Sequence, residues 1–249
     1  MKKHIILILV AILCLPTWGQ DTDQIESQNS SNWQIDVTPY VWLAGFKADI
    51  GFRDLELGQV QADFSDILEN LKMGALLHAE ASNGKWIIMG DLMYFKTSKG
   101  GSLDINSTPT ELNTKLLVTE LGVGINMVND ENAFLVDAFI GWRSISSDNV
   151  MTIGSRTALD RNSNANDPFI GARMKIKSEK WLYSLRADVG GFGIGTKSSL
   201  KISTLGAYSF SDLFALYFGF QALDIKIEKS DFNFDILTTG FVVGGNFSF

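Results

Sequence analysis

The chain has 249 residues, 45% hydrophobic and 20% charged, with 23 glycines, 17 phenylalanines, one cysteine and a formal net charge of −7. An acidic chain of this kind is not built to hold nucleic acid, and no window of about 20 apolar residues could cross a bilayer as a helix. Plentiful glycine and aromatic residues with four prolines suit a β protein, and the remaining way to satisfy a backbone in lipid is a closed barrel.

In chain order, Met1-Lys2-Lys3-His4 is a short basic start, followed by an apolar run over 5–15 and by Pro16-Thr17-Trp18-Gly19. The run is too short to span a membrane and reads as a secretory signal peptide cut after Gly19. Bulky Leu13 before Cys14 argues against a lipoprotein. Cleavage removes the cysteine and two lysines, taking the charge to −9 and leaving no disulfide chemistry. Residues 20–32, rich in Ser, Gln and Asp, are expected to form a flexible periplasmic leader. The domain expectation is therefore signal peptide 1–19, leader 20–32 and barrel 33–249.

Turn chemistry divides the rest into hairpins. Ser82-Asn83-Gly84-Lys85 carries the Asn-Gly hairpin signal. Short polar joints recur at 129–132, 178–180 and 209–212, and alternate with longer polar segments at 52–71, 98–112 and 147–165. Tight turns on one side and loose loops on the other describe an outer-membrane barrel. The alternation between them predicts ten strands, at 33–51, 72–82, 85–97, 113–128, 133–146, 166–177, 181–195, 199–209, 213–227 and 232–249. The fold class is an all-β transmembrane antiparallel up-and-down barrel, with counts of eight or twelve also compatible. The segment 58–64 could add a strand, and 65–71 has helical spacing behind a Ser65 N-cap.

The last strand alternates without a break. Leu237, Thr239, Phe241, Val243, Gly245, Phe247 and Phe249 fall on one face, and small or polar residues on the other. On 85–97, Trp86 and Tyr94 bracket Ile88, Gly90 and Leu92. Eight residues at ~3.3 Å and ~40° tilt span about 20 Å, close to an apolar band edged by aromatic girdles. Phe134 and Trp142 repeat the device, and Trp181, Tyr183, Phe247 and Phe249 complete the expected membrane-interface girdle. The opposite face then points inward and carries Asp36, His78, Glu80, Asp91, Glu120, Asp137, Arg143, Arg173, Lys175, Arg186, Asp188 and Lys201. With carboxylates and cations nearly balanced, these are expected to pair across the lumen. A register joining Val128 to Ala133 would set Glu120 diagonal to Arg143. Glycines at 122, 124, 141, 171, 190 and 219 would admit bulky neighbours.

As a whole, 33–249 resembles an uncharacterised proteobacterial family of porin-like outer-membrane β-barrel proteins. The resemblance is carried by Thr38-Pro39-Tyr40-Val41-Trp42-Leu43-Ala44-Gly45, Phe64-Ser65-Asp66-Ile67-Leu68-Glu69-Asn70-Leu71, Gly90-Asp91-Leu92-Met93-Tyr94, Gly141-Trp142-Arg143 and Asp188-Val189-Gly190-Gly191-Phe192-Gly193. Where the family pattern has Gly-Tyr-Arg, this chain has Gly219-Phe220-Gln221, so one lumen arginine is absent. The resemblance implies fold and location in the outer membrane of a Gram-negative bacterium, and no catalytic residues or cofactor.

The residues offer three chemical readings. His78, Glu80 and Ser82 share one strand face and could suggest a lipid hydrolase. Same-face neighbours on a strand stand about 6.8 Å apart, too far to hydrogen-bond, which favours a plain lumen network. Asp160, Asn162 and Asn164 match the start of a calcium loop, but Ala165 and Gly171 break the pattern, so solvated polarity is the better account. Phe64, Ile67, Leu68 and Leu71 form an apolar helix face that could plug the mouth or merely rest on the rim. The expectation is thus a monomeric barrel, structural or a narrow pore, with outer-membrane lipid and the barrel-assembly machinery as partners. A passive channel gated by 64–71 and a lipid hydrolase are the alternatives.

Overall fold

The computed structural model describes residues 33–52, 55–103, 108–130, 134–229 and 232–249. The signal-peptide and leader expectations for 1–32 lie outside the described residues. The elements are β1 (Gln34–Phe52), β2 (Leu55–Ala62), α1 (Phe64–Asn70), β3 (Leu71–Ser82), β4 (Trp86–Leu103), β5 (Thr108–Asp130), β6 (Phe134–Ile153), β7 (Arg156–Ser178), β8 (Trp181–Gly190), β9 (Ser198–Ser209), β10 (Phe214–Lys229) and β11 (Phe232–Ser248). Ten of these strands close an antiparallel barrel, each beside its sequence neighbour, with β11 completing the ring against β1. Among the described residues the further strand β2 pairs only with the upper half of β1.

Burial is inverted relative to a soluble protein. Along β8, Tyr183, Leu185 and Val189 are exposed while Ser184, Arg186 and Asp188 are buried. Leu121, Met127 and Phe241 are each about two-thirds exposed, at 64%, 65% and 65%. Apolar exposure on this scale is stable only against lipid. The end carrying Gln34 and Ser248 has the tight connections. In one, Asn83 Oδ1 accepts the Trp86 N–H at 2.7 Å and Gly84 takes φ 80°. The far end carries the long hairpins of β4 to β7, which marks it as external and this end as periplasmic.

The external side differs from the sequence expectation. The supposed loops at 98–112 and 147–165 are largely strand, so β4 to β7 rise well above the bilayer as tall hairpins. Polar side chains on both faces hide a strand from an alternation test once both faces meet water. Asp160, Asn162 and Asn164 sit on β7 rather than in a loop; Asn164 donates to Asn162 at 2.9 Å and Asn162 donates to Asp148. Among the described residues no cluster suits a metal ion. By contrast β8 ends at Gly190 and β9 begins at Ser198, so the wall is low there. Thr196 ties this low connection down through its N–H and hydroxyl to Asp167, both at 2.7 Å.

Helix α1 begins behind Asp63 rather than Ser65, and Asp66 accepts the Asp63 N–H at 3.1 Å. Leu71 already belongs to β3. No residue of α1 is buried, and Leu68 is 53% exposed. Its apolar face therefore rests on the rim against β1, β2 and β4 instead of filling the lumen.

One seam in the wall is incomplete. β1 pairs with β3 from Gln34↔Ser82 up to Pro39↔Leu77. Above that, among the described residues, 40–45 of β1 pair only with β11 and 71–76 of β3 only with β4. Proline has no N–H for a ladder, which accounts for the split starting at Pro39.

Glycines let the interior close. Phe139 and Phe169 lie edge to face with centroids 6.2 Å apart. Each ring covers a glycine on the adjoining strand, in the register pairs Phe139↔Gly171 and Gly141↔Phe169. A Cβ on Gly141 would meet the Phe169 ring and the Leu121 carbonyl. Gly141→Val is therefore expected to lower stability by ~1–3 kcal/mol or more, as overpacking does. Urea titration, followed by the fraction of unboiled protein migrating as the folded band, measures it.

Candidate functional site

The inward residues of successive strands assemble two linked charge clusters. In the first, Arg143 Nε donates to Glu120 Oε1 at 2.8 Å, its Nη2 to Asp188 at 2.6 Å, and its Nη1 to Ser199 at 2.9 Å. Arg186 bonds Asp188 at 3.0 Å and Glu120 at 3.2 Å. Lys201 reaches both Glu120 oxygens at 3.1 and 3.0 Å. Glu120 stands on β5 and Lys201 on β9, so this bridge crosses the lumen. Glu120 and Arg143 prove to be direct cross-strand partners rather than diagonal ones, because Val128 pairs with Val136 instead of Ala133 and the bulge between Asn126 and Val128 takes back only one residue of that shift.

In the second cluster, Arg173 on β7 grips Glu80 on β3 at 2.5 and 2.9 Å and Asp137 on β6 at 2.9 Å. Lys175 adds a bond to Glu80 at 3.0 Å. His78 Nδ1 lies 3.2 Å from Asp91, which also accepts the Tyr40 hydroxyl at 2.7 Å. Asp36 stands apart, at the periplasmic end, holding Asn246 at 3.1 Å and Ser248 at 2.5 Å. Arg143 and Asp167 are 0% exposed, Lys201 and Asp137 1%. Arg143, Lys201 and Asp137 persist there because each has an opposite partner, and Asp167 because the Thr196 N–H and hydroxyl donate to it. The Phe139 and Phe169 rings flank the guanidiniums, with Arg186 4.9 Å from the first centroid and Arg143 5.2 Å from the second.

Sequence reasoning missed a second interior layer. Above the charges, Tyr40, Trp42, Ala44, Met93, Val118, Leu223, Ile225 and Val242 form an apolar core packed by Leu76, Phe95, Leu116 and Ile145. Asp167 and the neutral hydroxyls of Tyr40 and Ser199 were likewise not anticipated. A signal existed: in β10 the apolar phase switches from outward Phe218 and Phe220 to inward Leu223 and Ile225. That switch marks where the outer surroundings change from lipid to water.

A small polar cavity of about 60 Å³ remains between the clusters, lined by His78, Asp91, Arg186, Lys201, Tyr217 and Gln221 among others. The Gln221 amide nitrogen is buried without a partner. The space is of a size to hold ordered water.

The girdle residues sit on the outer wall. Trp181 stacks on Tyr183 at 5.9 Å and meets Tyr208 at 4.9 Å. The chain of rings continues through Phe210, Phe214 and Phe247. Trp86, Trp142 and Phe249 are exposed, at 50%, 46% and 62%, while Tyr94 and Phe134 are half-buried.

No family model matches the chain, and no curated protein matches it. Solved structures do. The outer membrane protease OmpT from Escherichia coli aligns with a TM-score of 0.52 at 9% identity, over 88% of this chain and 98% of that one. The translocator domain of the autotransporter NalP from Neisseria meningitidis gives 0.41 at 9%, over 88% and 89%. The attachment invasion locus protein Ail of Yersinia pestis gives 0.39 at 9%, over 87% and 99%. At this identity the first likeness speaks for the fold and not for an activity. A closed ten-strand barrel of this fold with a lipid-facing apolar belt is an outer-membrane β-barrel of a Gram-negative bacterium.

Arg143→Ala should strand Glu120 and Asp188 in the interior and cost ~3–5 kcal/mol. The paired change Arg143→Met with Glu120→Gln should cost less than Arg143→Ala alone. Urea midpoints of the refolded barrels compare the two.

Proposed function

We propose that the protein is a closed, non-catalytic barrel that carries no solute along its axis and serves as a membrane-held support for its tall external hairpins. One observation carries this reading: side chains from opposite walls meet, Glu80 with Arg173 and Glu120 with Lys201, beneath a packed apolar layer. A conducting lumen would need those bridges to part. The alternative channel gated by 64–71 is less well supported, since α1 lies on the rim. The hydrolase alternative asks a base to touch a nucleophile. The described contacts of His78 run instead to the carboxylates of Asp91 and Glu80, and a hydrogen-bonded nucleophile–base pair is the usual requirement. In this reading the chain is a monomer, inserted by the barrel-assembly machinery through β11.

Planar-bilayer recordings of the purified protein should show no steady steps, and regular ohmic openings would sink the proposal. His78→Ala should leave the lipid profile of overproducing cells unchanged; loss of a deacylated product in that variant would favour the hydrolase instead.

A further inference from the structure

The seam between β1 and β3 lies within the membrane. Its last rung is Pro39↔Leu77, and Leu77 in turn is in register with Leu92 of β4; at the upper end Leu71 is in register with Thr97. Leu92 and Thr97 stand six and eleven residues above Trp86. At ~3.3 Å per residue and ~40° tilt, the seam therefore runs from about 15 to about 28 Å above the lower aromatic border. That is the outer-leaflet half of the apolar band. At the top, the chain entering α1 passes against Gly45, where a Cβ would meet the Ala62 carbonyl at 3.0 Å. Among the described residues no rung joins 40–45 to 71–76, and acyl chains cannot satisfy the backbone groups of those edges. A break in local rules of this kind marks a working part of a fold.

Side chains hold the two edges together. Tyr40, the first inward residue above Pro39, reaches past the seam, and its hydroxyl donates to Asp91 Oδ1 on β4 at 2.7 Å. The other Asp91 oxygen lies 3.2 Å from His78 Nδ1 on β3, and His78 stands on the last rung but one, opposite Thr38. Tyr40, Asp91 and His78 thus join β1 to β3 and β4 across the foot of the break. Higher up, the inner side is closed by the packing of Trp42 and Ala44 with Leu76 and Phe95. That closure is thin: Gly74 falls in the inward phase with Leu76 and His78, yet it is exposed. Lipid tails are as apolar as leucine, so exchanging such contacts for an acyl chain is nearly neutral. The hydrogen bonds at the foot are then what resists opening.

We propose that the β1–β3 seam is a lateral gate, latched at its foot by Tyr40, Asp91 and His78, whose release admits an acyl chain of the outer leaflet to the apolar layer inside the barrel. The gate opens sideways into lipid rather than along the axis, so conductance and gating fail or succeed separately.

Nitroxide pairs on the full chain in bilayers test it, with Cys14→Ser removing the one native thiol. Labels at Val41→Cys and Ala75→Cys flank the seam, and labels at Val37→Cys and Ala79→Cys mark a true rung below it. Dipolar broadening in frozen spectra reads each separation. Y40F removes only the latch hydroxyl, and in it the 41–75 pair should move apart by about one strand spacing, ~5 Å, while the 37–79 pair keeps its broadening. In vesicles of lipid brominated on its acyl chains, Y40F should show more tryptophan quenching than wild type, and Y40F/W42F should lose that increment. Should Y40F not give the unboiled folded band, H78Q releases the same latch from β3. An unchanged 41–75 separation in the folded variant would overturn the proposal, as would equal widening of both pairs. So would the lack of added quenching, or an increment that survives the loss of Trp42.

Discussion

Glu120 accepts hydrogen bonds from Arg143, Arg186 and Lys201, which stand on three other strands. The interior depends on bridges of this type. A closed sheet of ten strands leaves a space that backbone hydrogen bonds cannot fill, and lipid outside forbids turning the polar faces outward. Charges must then go in, and they can stay only as fully paired networks. Arg173 does for Glu80 and Asp137 what Arg143 does for Glu120 and Asp188. In both clusters guanidinium geometry, with several donors in one plane, links walls that no single strand pair could connect.

Filling the lumen this way places demands on the wall. Long arginines and the Phe139–Phe169 pair need room, and Gly141 and Gly171 provide it on the strands opposite the rings. The apolar layer above obeys different rules. Once the strands leave the bilayer, water lies outside, so the apolar faces turn inward as in a soluble protein. One barrel therefore contains two folding logics stacked along its axis, joined where the hydrophobic phase reverses.

The rim is uneven for the same reason. β4 to β7 continue upward as a polar sheet, whereas β8 and β9 stop short and are fastened by Asp167 to Thr196. Between β1 and β3 the ladder ends at Pro39, and α1 covers the mouth side of the gap. Such asymmetry gives the outer wall distinct faces.

Sequence by itself determined the barrel: the period-two alternation, the aromatic brackets at Trp86 and Trp142, the Asn83-Gly84 hairpin and the absence of any helical span leave one way to satisfy a backbone in lipid. It also determined that most of the paired charged residues face inward, because the period fixes sidedness, although Asp167 was missed. Partners were decided only by the tertiary structure. A shifted β5–β6 register, pairing Val128 with Val136 rather than Ala133, moved Glu120 from diagonal to direct contact with Arg143, and curvature alone brings β5 opposite β9 and β3 opposite β7. The tall hairpins, the apolar layer around Trp42 and Met93, and the split above Pro39 were illegible for a related reason. Alternation reports the contrast between two faces, and it falls silent where both faces meet water and says nothing about which strand lies alongside.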